Sequence, residues 1–286
     1  MQDHLIKATA DGIRVFAAVT TNLVEEASKR HHCFPIATAA LGRTMTGALL
    51  LAANLKTSEC VTLKIAGHGK LGQIVADANS KGIVRGYVDN PQIDLPLNNG
   101  KLAVGEAVGK GMISLTRFTG LKQPFTGSTE LVTGEIAEDI TNYLSISEQT
   151  PSSVGLGVLI DPDLKVLAAG GFFIQALPNV EDSAIDLLEK NLQTLKPVSQ
   201  MIHEGLDAEG IIAEIFQNMK VNYFERTDLQ FQCQCSKTKI EKVLICLGKK
   251  DLSSLIDDGQ AEVCCHFCGE KYQFTKEELE VILASS

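Results

Sequence analysis

Cys233-Gln234-Cys235 is answered, after 29 intervening residues, by Cys265-His266-Phe267-Cys268-Gly269. Two close pairs of thiols separated by a short span are what a tetrahedral zinc ion needs, because each pair can clasp one edge of the tetrahedron while the intervening chain folds over the metal. Gly269 follows the second pair as a turn residue free of Cβ clashes. The ligand set expected from spacing is therefore Cys233, Cys235, Cys265 and Cys268, with one Zn2+ per chain in the reduced state. Cys264 offers a neighbouring thiol, but the two-residue gap of Cys265 and Cys268 is the usual zinc-knuckle spacing, which leaves Cys264 a bystander. Cys246 sits in the apolar run 243–247 and is expected as a packed small hydrophobe, and Cys60 as an ordinary strand thiol.

Four sulfur ligands leave no open position for water, so Lewis-acid catalysis is not expected of such a site, and the chain does not read as an enzyme. Its chemistry would lie in the sulfurs. Thiolates are the oxidisable form of cysteine, and zinc both keeps them deprotonated and restrains them from pairing. An oxidant able to attack the cage would convert ligands to disulfides and release the ion. Structural zinc contributes folding free energy on the order of 10 kcal/mol. Its loss should unfold a module of about 55 residues, a size at which metal or disulfide support is commonly needed. Oxidation then becomes a conformational switch.

The rest of the chain must position that module. Its 44% hydrophobic and 21% charged residues suit a folded globular protein of two or three units. A net charge of −9 offers nothing to phosphate backbones or anionic lipid. From residue 232 onward, seven lysines face nine acids, so a nucleic-acid-binding zinc ribbon is disfavoured. The first residues, with Asp3 and His4 ahead of a short apolar stretch, lack the basic region of a secretion signal, and the apolar stretch near 48–53 is too short to span a membrane. A cytoplasmic protein is expected, with no membrane and no nucleic-acid partner.

Residues 13–20, 61–66, 74–78, 83–88, 112–118, 154–160 and 166–175 read as strands, and 23–31, 35–53 and 136–144 as helices. Asn79-Ser80-Lys81-Gly82 supplies hairpin chemistry. Strands in pairs with helices interspersed predict an α+β domain with an antiparallel sheet over 1–178. Residues 179–230 carry ten acids against four bases and apolar positions at helical spacing. They predict a helical linker, with Asp207 capping its third helix. The small zinc-binding domain would occupy 231–286.

Other constellations carry less. Gly67-His68-Gly69-Lys70-Leu71-Gly72 fits a dinucleotide fingerprint, but Gln73 onward reads as a hairpin rather than the required helix. His31-His32-Cys33 are adjacent on a helix and point in different directions. Ser147-Glu148-Gln149 has no histidine partner at a readable spacing.

The cysteine pattern, together with Arg85-Gly86-Tyr87-Val88-Asp89-Asn90-Pro91, Gln123-Pro124-Phe125-Thr126-Gly127 and Ser147-Glu148-Gln149 in that order, resembles the redox-regulated heat shock protein 33 family of 33 kDa chaperonins. Phe125 stands where the family commonly has tyrosine. The resemblance implies an ATP-independent holdase that binds unfolded client proteins under oxidative stress and is inactive when reduced and zinc-bound. It further implies disulfides Cys233–Cys235 and Cys265–Cys268 on oxidation, loss of zinc, disordering of the linker, and a tendency of the active form to dimerise.

Overall fold

The computed structural model describes residues 1–56, 59–98, 100–120 and 123–284. Ser285 and Ser286, the end of the expected zinc-binding domain, lie outside the described residues. The chain divides into two compact units, Met1–Gln232 and Cys233–Ser286.

The first unit begins with a hairpin, β1 (His4–Ala10) and β2 (Ile13–Val19), then α1 (Thr21–His31) and α2 (Pro35–Ala52). A meander follows of β3 (Cys60–Gly67), β4 (Gln73–Asn79) and β5 (Ile83–Val88), then the short α3 (Val104–Val108), β6 (Gly111–Phe118) and β7 (Phe125–Glu130). Helix α4 (Ala137–Ser147) leads to a second hairpin, β8 (Ser152–Ile160) and β9 (Val166–Ala176). Three helices come next, α5 (Asp182–Thr194), α6 (Val198–His203) and α7 (Ala208–Ile215), and then β10 (Val221–Asp228) and β11 (Gln230–Phe231).

These strands make two sheets. One has the order β10-β1-β2-β9-β8 and is antiparallel throughout; the other runs β11-β5-β4-β3-β6-β7, antiparallel except for the parallel β11–β5 edge. Helix α2 packs on β3, β4 and β5 and also on β8 and β9, so it forms the layer between the sheets. Its composition explains that place: Ala, Leu, Thr and Gly all round leave no polar face, and nearly every side chain is buried. By length and composition α2 could cross a membrane, contrary to the expectation that no segment is long enough, yet 89% of it is buried inside the protein.

The five-stranded sheet has a second covered face. Val15, Ala17 and Val19 of β2, Ile6 and Ala8 of β1 and Phe172 and Ile174 of β9 pack against Leu188 of α5, Met201 and Ile202 of α6, and Ile211, Ile212 and Ile215 of α7. The apolar stripe of each helix is its contact with the sheet. Asp207 caps α7 as expected, its Oδ1 accepting from the Gly210 N–H at 2.9 Å. The expected helical linker is thus helical over α5–α7, but its last part is a strand: β10 pairs antiparallel with β1 from Val221 to Asp228.

The second unit is built from α8 (Lys237–Cys246), α9 (Lys249–Asp257), the hairpin β12 (Gln260–Cys264) and β13 (Lys271–Thr275), and α10 (Lys276–Ala284). Its buried centre is Leu244, Leu252, Ala261, Phe274, Leu279 and Ile282. Six such side chains are a thin core for an independent domain.

Candidate metal centre

Two backbone features hold the cysteines. Cys233 and Cys235 lie in the extended segment between β11 and α8, fixed at its far end by Ser236, whose Oγ accepts from the Lys239 N–H as the cap of α8. Lys239 Nζ also donates to the Gln234 carbonyl at 2.7 Å. Cys265 and Cys268 occupy the turn between β12 and β13. There the Cys265 N–H donates to the Glu270 carbonyl at 2.8 Å, and the Cys268 and Gly269 N–H groups donate to the Cys265 carbonyl at 3.3 and 2.8 Å. Gly269 takes φ 70°, a left-handed conformation costly for any residue with a Cβ.

These elements bring the four expected sulfurs together, all within 4.8 Å of one another. Cys233 Sγ lies 3.8 Å from Cys265 Sγ, and Cys235 Sγ lies 3.4 Å from Cys268 Sγ. A tetrahedral ion with metal–sulfur bonds of about 2.3 Å sets its ligands about 3.8 Å apart along each edge, so the constellation is of the right size. Its protonation chemistry fits as well. Burial pushes the Cys265 and Cys268 thiols above the ordinary cysteine range, and the neighbouring sulfurs push Cys268 further the same way. Crowded, partly desolvated sulfurs resist ionising beside one another, and a divalent cation at their centre removes that resistance. The donor set therefore fits a thiophilic metal with no vacant coordination position.

A residue absent from the sequence reading completes the surroundings. Tyr272 of β13 points its hydroxyl at Cys235 Sγ, 3.1 Å away. In the hairpin Val263 stands opposite Tyr272 and Ala261 opposite Phe274, which carries the Tyr272 side chain to the cluster.

The remaining cysteines stand apart from the cluster. Cys264 is exposed at the end of β12, its Sγ 3.5 Å from the Gly269 carbonyl. Cys246, expected to be packed, is exposed instead: α8 turns Leu244 into the core, and a residue two positions later on a helix faces away. Cys33 is buried and its thiol is pushed up to about 12 by desolvation, while Cys60 is half-buried at the start of β3. The other candidate motifs have structural places. The glycine-rich segment 67–72 joins antiparallel β3 and β4 and opens no helix. His31 Nε2 is 2.9 Å from the Gly86 carbonyl and His32 ends α1 in a left-handed conformation. Glu148 forms an ion pair with Arg117 at 2.6 Å.

The family model described as Hsp33 protein matches residues 3–275. This chain belongs to the Hsp33 family. Curated relatives named 33 kDa chaperonin include one from Desulforamulus reducens, 50% identical with 99% of this chain and 98% of the relative covered, and one from Bacillus subtilis, 50% identical with 97% of each covered. The crystal structure of the 33 kDa chaperonin from Thermotoga maritima is 36% identical, with a TM-score of 0.92 over 99% of this chain and 98% of that one. The α+β fold is thus that of Hsp33, and the relatives are named as chaperones.

Proposed function

We propose that this Hsp33-family member is a redox-regulated, ATP-independent holdase, and not an enzyme, that binds unfolding proteins under oxidative stress. The observation that carries the reading is the convergence of Cys233, Cys235, Cys265 and Cys268 Sγ atoms within 4.8 Å in a unit whose core has, among the described residues, six buried apolar side chains. These four residues hold one zinc ion in the reduced, inactive protein. Bound zinc would keep the four sulfurs as thiolates and tie the extended segment to the hairpin turn.

Oxidation consumes the donors. Each pair of thiolates gives up two electrons to a two-electron oxidant such as hydrogen peroxide, which takes two protons from the solvent, so that one S–S bond and two waters form. The pairs are Cys233–Cys235 and Cys265–Cys268. With no thiolate left, the second unit has only its thin core, and it unfolds.

The functional parts are a chaperone core over 1–178, a linker over 179–230 and a redox domain over 231–286. The linker follows the cysteines into disorder: its helices are 13, 6 and 8 residues long, at or below what stands alone in water. Once they leave the sheet, Ile6, Val15, Val19 and Ile174 of the core and Leu188, Ile202, Ile211 and Ile215 of the linker become apolar surface for clients. Such a surface also favours self-association to a dimer in the oxidised state. The protein works in the cytoplasm, where reducing conditions keep the switch off until stress, and takes neither nucleic acid nor membrane as partner.

The test is one titration of reduced protein with hypochlorous acid, following zinc release with a colorimetric chelator and aggregation of an unfolding client by light scattering. About one zinc per chain should appear in step with suppression of scattering, and dithiothreitol should reverse the latter. Equal suppression by the fully reduced, zinc-bound protein would refute the switch.

A further inference from the structure

Tyr272 stands opposite Val263 in the β12–β13 hairpin, with its ring packed against the small core of the second unit and its hydroxyl 3.1 Å from Cys235 Sγ. A phenol has one proton to donate, and at this distance the sulfur is its acceptor. The ring is anchored from both sides of the hairpin, by the strand pairing and by the core. The hydroxyl is therefore held in place rather than drifting to solvent. A hydrogen bond to an ionised acceptor is stronger than one between neutral groups, so the contact gains most when Cys235 is a thiolate.

We infer that Tyr272 is a positioning residue that shields Cys235: its O–H occupies a sulfur lone pair and makes Cys235 slower to react with electrophiles and oxidants. The inference rests on the reading of the four cysteines as thiolates of a metal cage. Donation from the phenol lowers the electron density the sulfur offers an electrophile, and weakening a hydrogen bond of ordinary net strength as the sulfur reacts corresponds to a rate factor of about threefold to tenfold. Cys235 is thereby guarded, while Cys268, 3.4 Å away, receives no donation from this hydroxyl.

The experiment uses the full-length, reduced, zinc-loaded protein and Tyr272→Phe, which keeps the ring and removes only the hydroxyl. Each is treated briefly with iodoacetamide, whose carbon–iodine bond breaks as sulfur forms the carbon–sulfur bond and iodide leaves. The position of the label among singly modified chains is read by mass spectrometry. Initial zinc release by hydrogen peroxide is followed in parallel. Tyr272→Phe should raise labelling at Cys235 about threefold to tenfold relative to Cys233, with zinc content unchanged before treatment. Phe274→Leu, which thins the same core without touching the hydroxyl, should raise labelling of the cage cysteines together. An unchanged distribution in Tyr272→Phe, or a uniform rise like that of Phe274→Leu, overturns the inference while leaving the metal reading intact. Wild-type protein that carries no zinc overturns the metal reading and the inference with it.

Discussion

Ile211 lies on α7, fully buried against the five-stranded sheet, and is the most direct handle on whether the helical layer over that sheet silences the chaperone. Truncation to alanine removes apolar contact on one side only, leaving β1 and β2 beneath it untouched. A buried isoleucine cut to alanine costs roughly 2–5 kcal/mol, and about 3 kcal/mol multiplies the open fraction of the layer about 150-fold. If α5–α7 open locally at a cost of about 5 kcal/mol, below global unfolding, their open population rises from about one in several thousand to a few per cent. Reduced, zinc-loaded Ile211→Ala should then suppress client aggregation without oxidant. Hydrogen exchange should quicken across 182–216 but not across β3, β4 and β6, and zinc content should stay at the wild-type value. Quickened exchange over 182–216 with aggregation suppression still at the reduced wild-type level would refute this role for the layer. The apolar faces of this layer and its sheet would then not be the client surface.

Other outcomes follow from the same geometry. A Cβ on Gly157 of β8 would lie 2.8 Å from the Ser199 backbone nitrogen of α6, so Gly157→Ala must lift that helix. Overpacking of about 1–3 kcal/mol outweighs the roughly 0.4–1 kcal/mol gained from a stiffer unfolded chain, so the urea midpoint should fall with the slope unchanged. Because burial holds the Cys265 and Cys268 thiols above their ordinary range, zinc binding must expel protons. Affinity should weaken as pH falls from the raised thiol range through neutrality, and calorimetry in two buffers of different ionisation enthalpy should detect the release; buffer-independent heats would contradict it. Tyr143 is buried and its hydroxyl is pushed up to about 12, first by desolvation and then by the charge of Glu148. Between the ordinary tyrosine value of about 10 and that raised value, the folded state keeps a proton that the unfolded chain has lost. Stability present below pH 10 should therefore drain away as pH rises through this window, and Tyr143→Phe should flatten the decline in a denaturant series.

The clustering of the four cysteines was legible because a tetrahedral metal site imposes spacing on sequence: a two-residue gap in one pair and a one-residue gap in the other survive any reading of the intervening chain. The strands with alternating burial, such as β3 and β5, declared themselves in the same way, as did α5 and α7 through their apolar stripes. Strand β10 did not. It is an edge strand with most side chains exposed on both faces, so no alternation marks it, and what makes it a strand is its backbone pairing with β1, more than two hundred residues away in sequence. Cys246 misled because the run Val243–Leu247 is apolar while a helix of the second unit has room to bury only one side; Val243 and Leu247 are exposed with it. Tyr272 was silent for a different reason. A hydrogen bond from a phenol to a sulfur 37 residues earlier has no signature in composition or period, and only the fold of the hairpin brings the two atoms together.

Oxidation at the four cysteines should uncover the sheet face under α5–α7. Hydrogen-exchange mass spectrometry on the reduced, zinc-loaded chain and on the same chain after peroxide at mild heat reads that coupling directly. Protection should vanish together over 182–216 and 233–284 while β3, β4 and β6 stay protected. An oxidised, zinc-free protein that suppresses aggregation with 182–216 still fully protected would contradict the account.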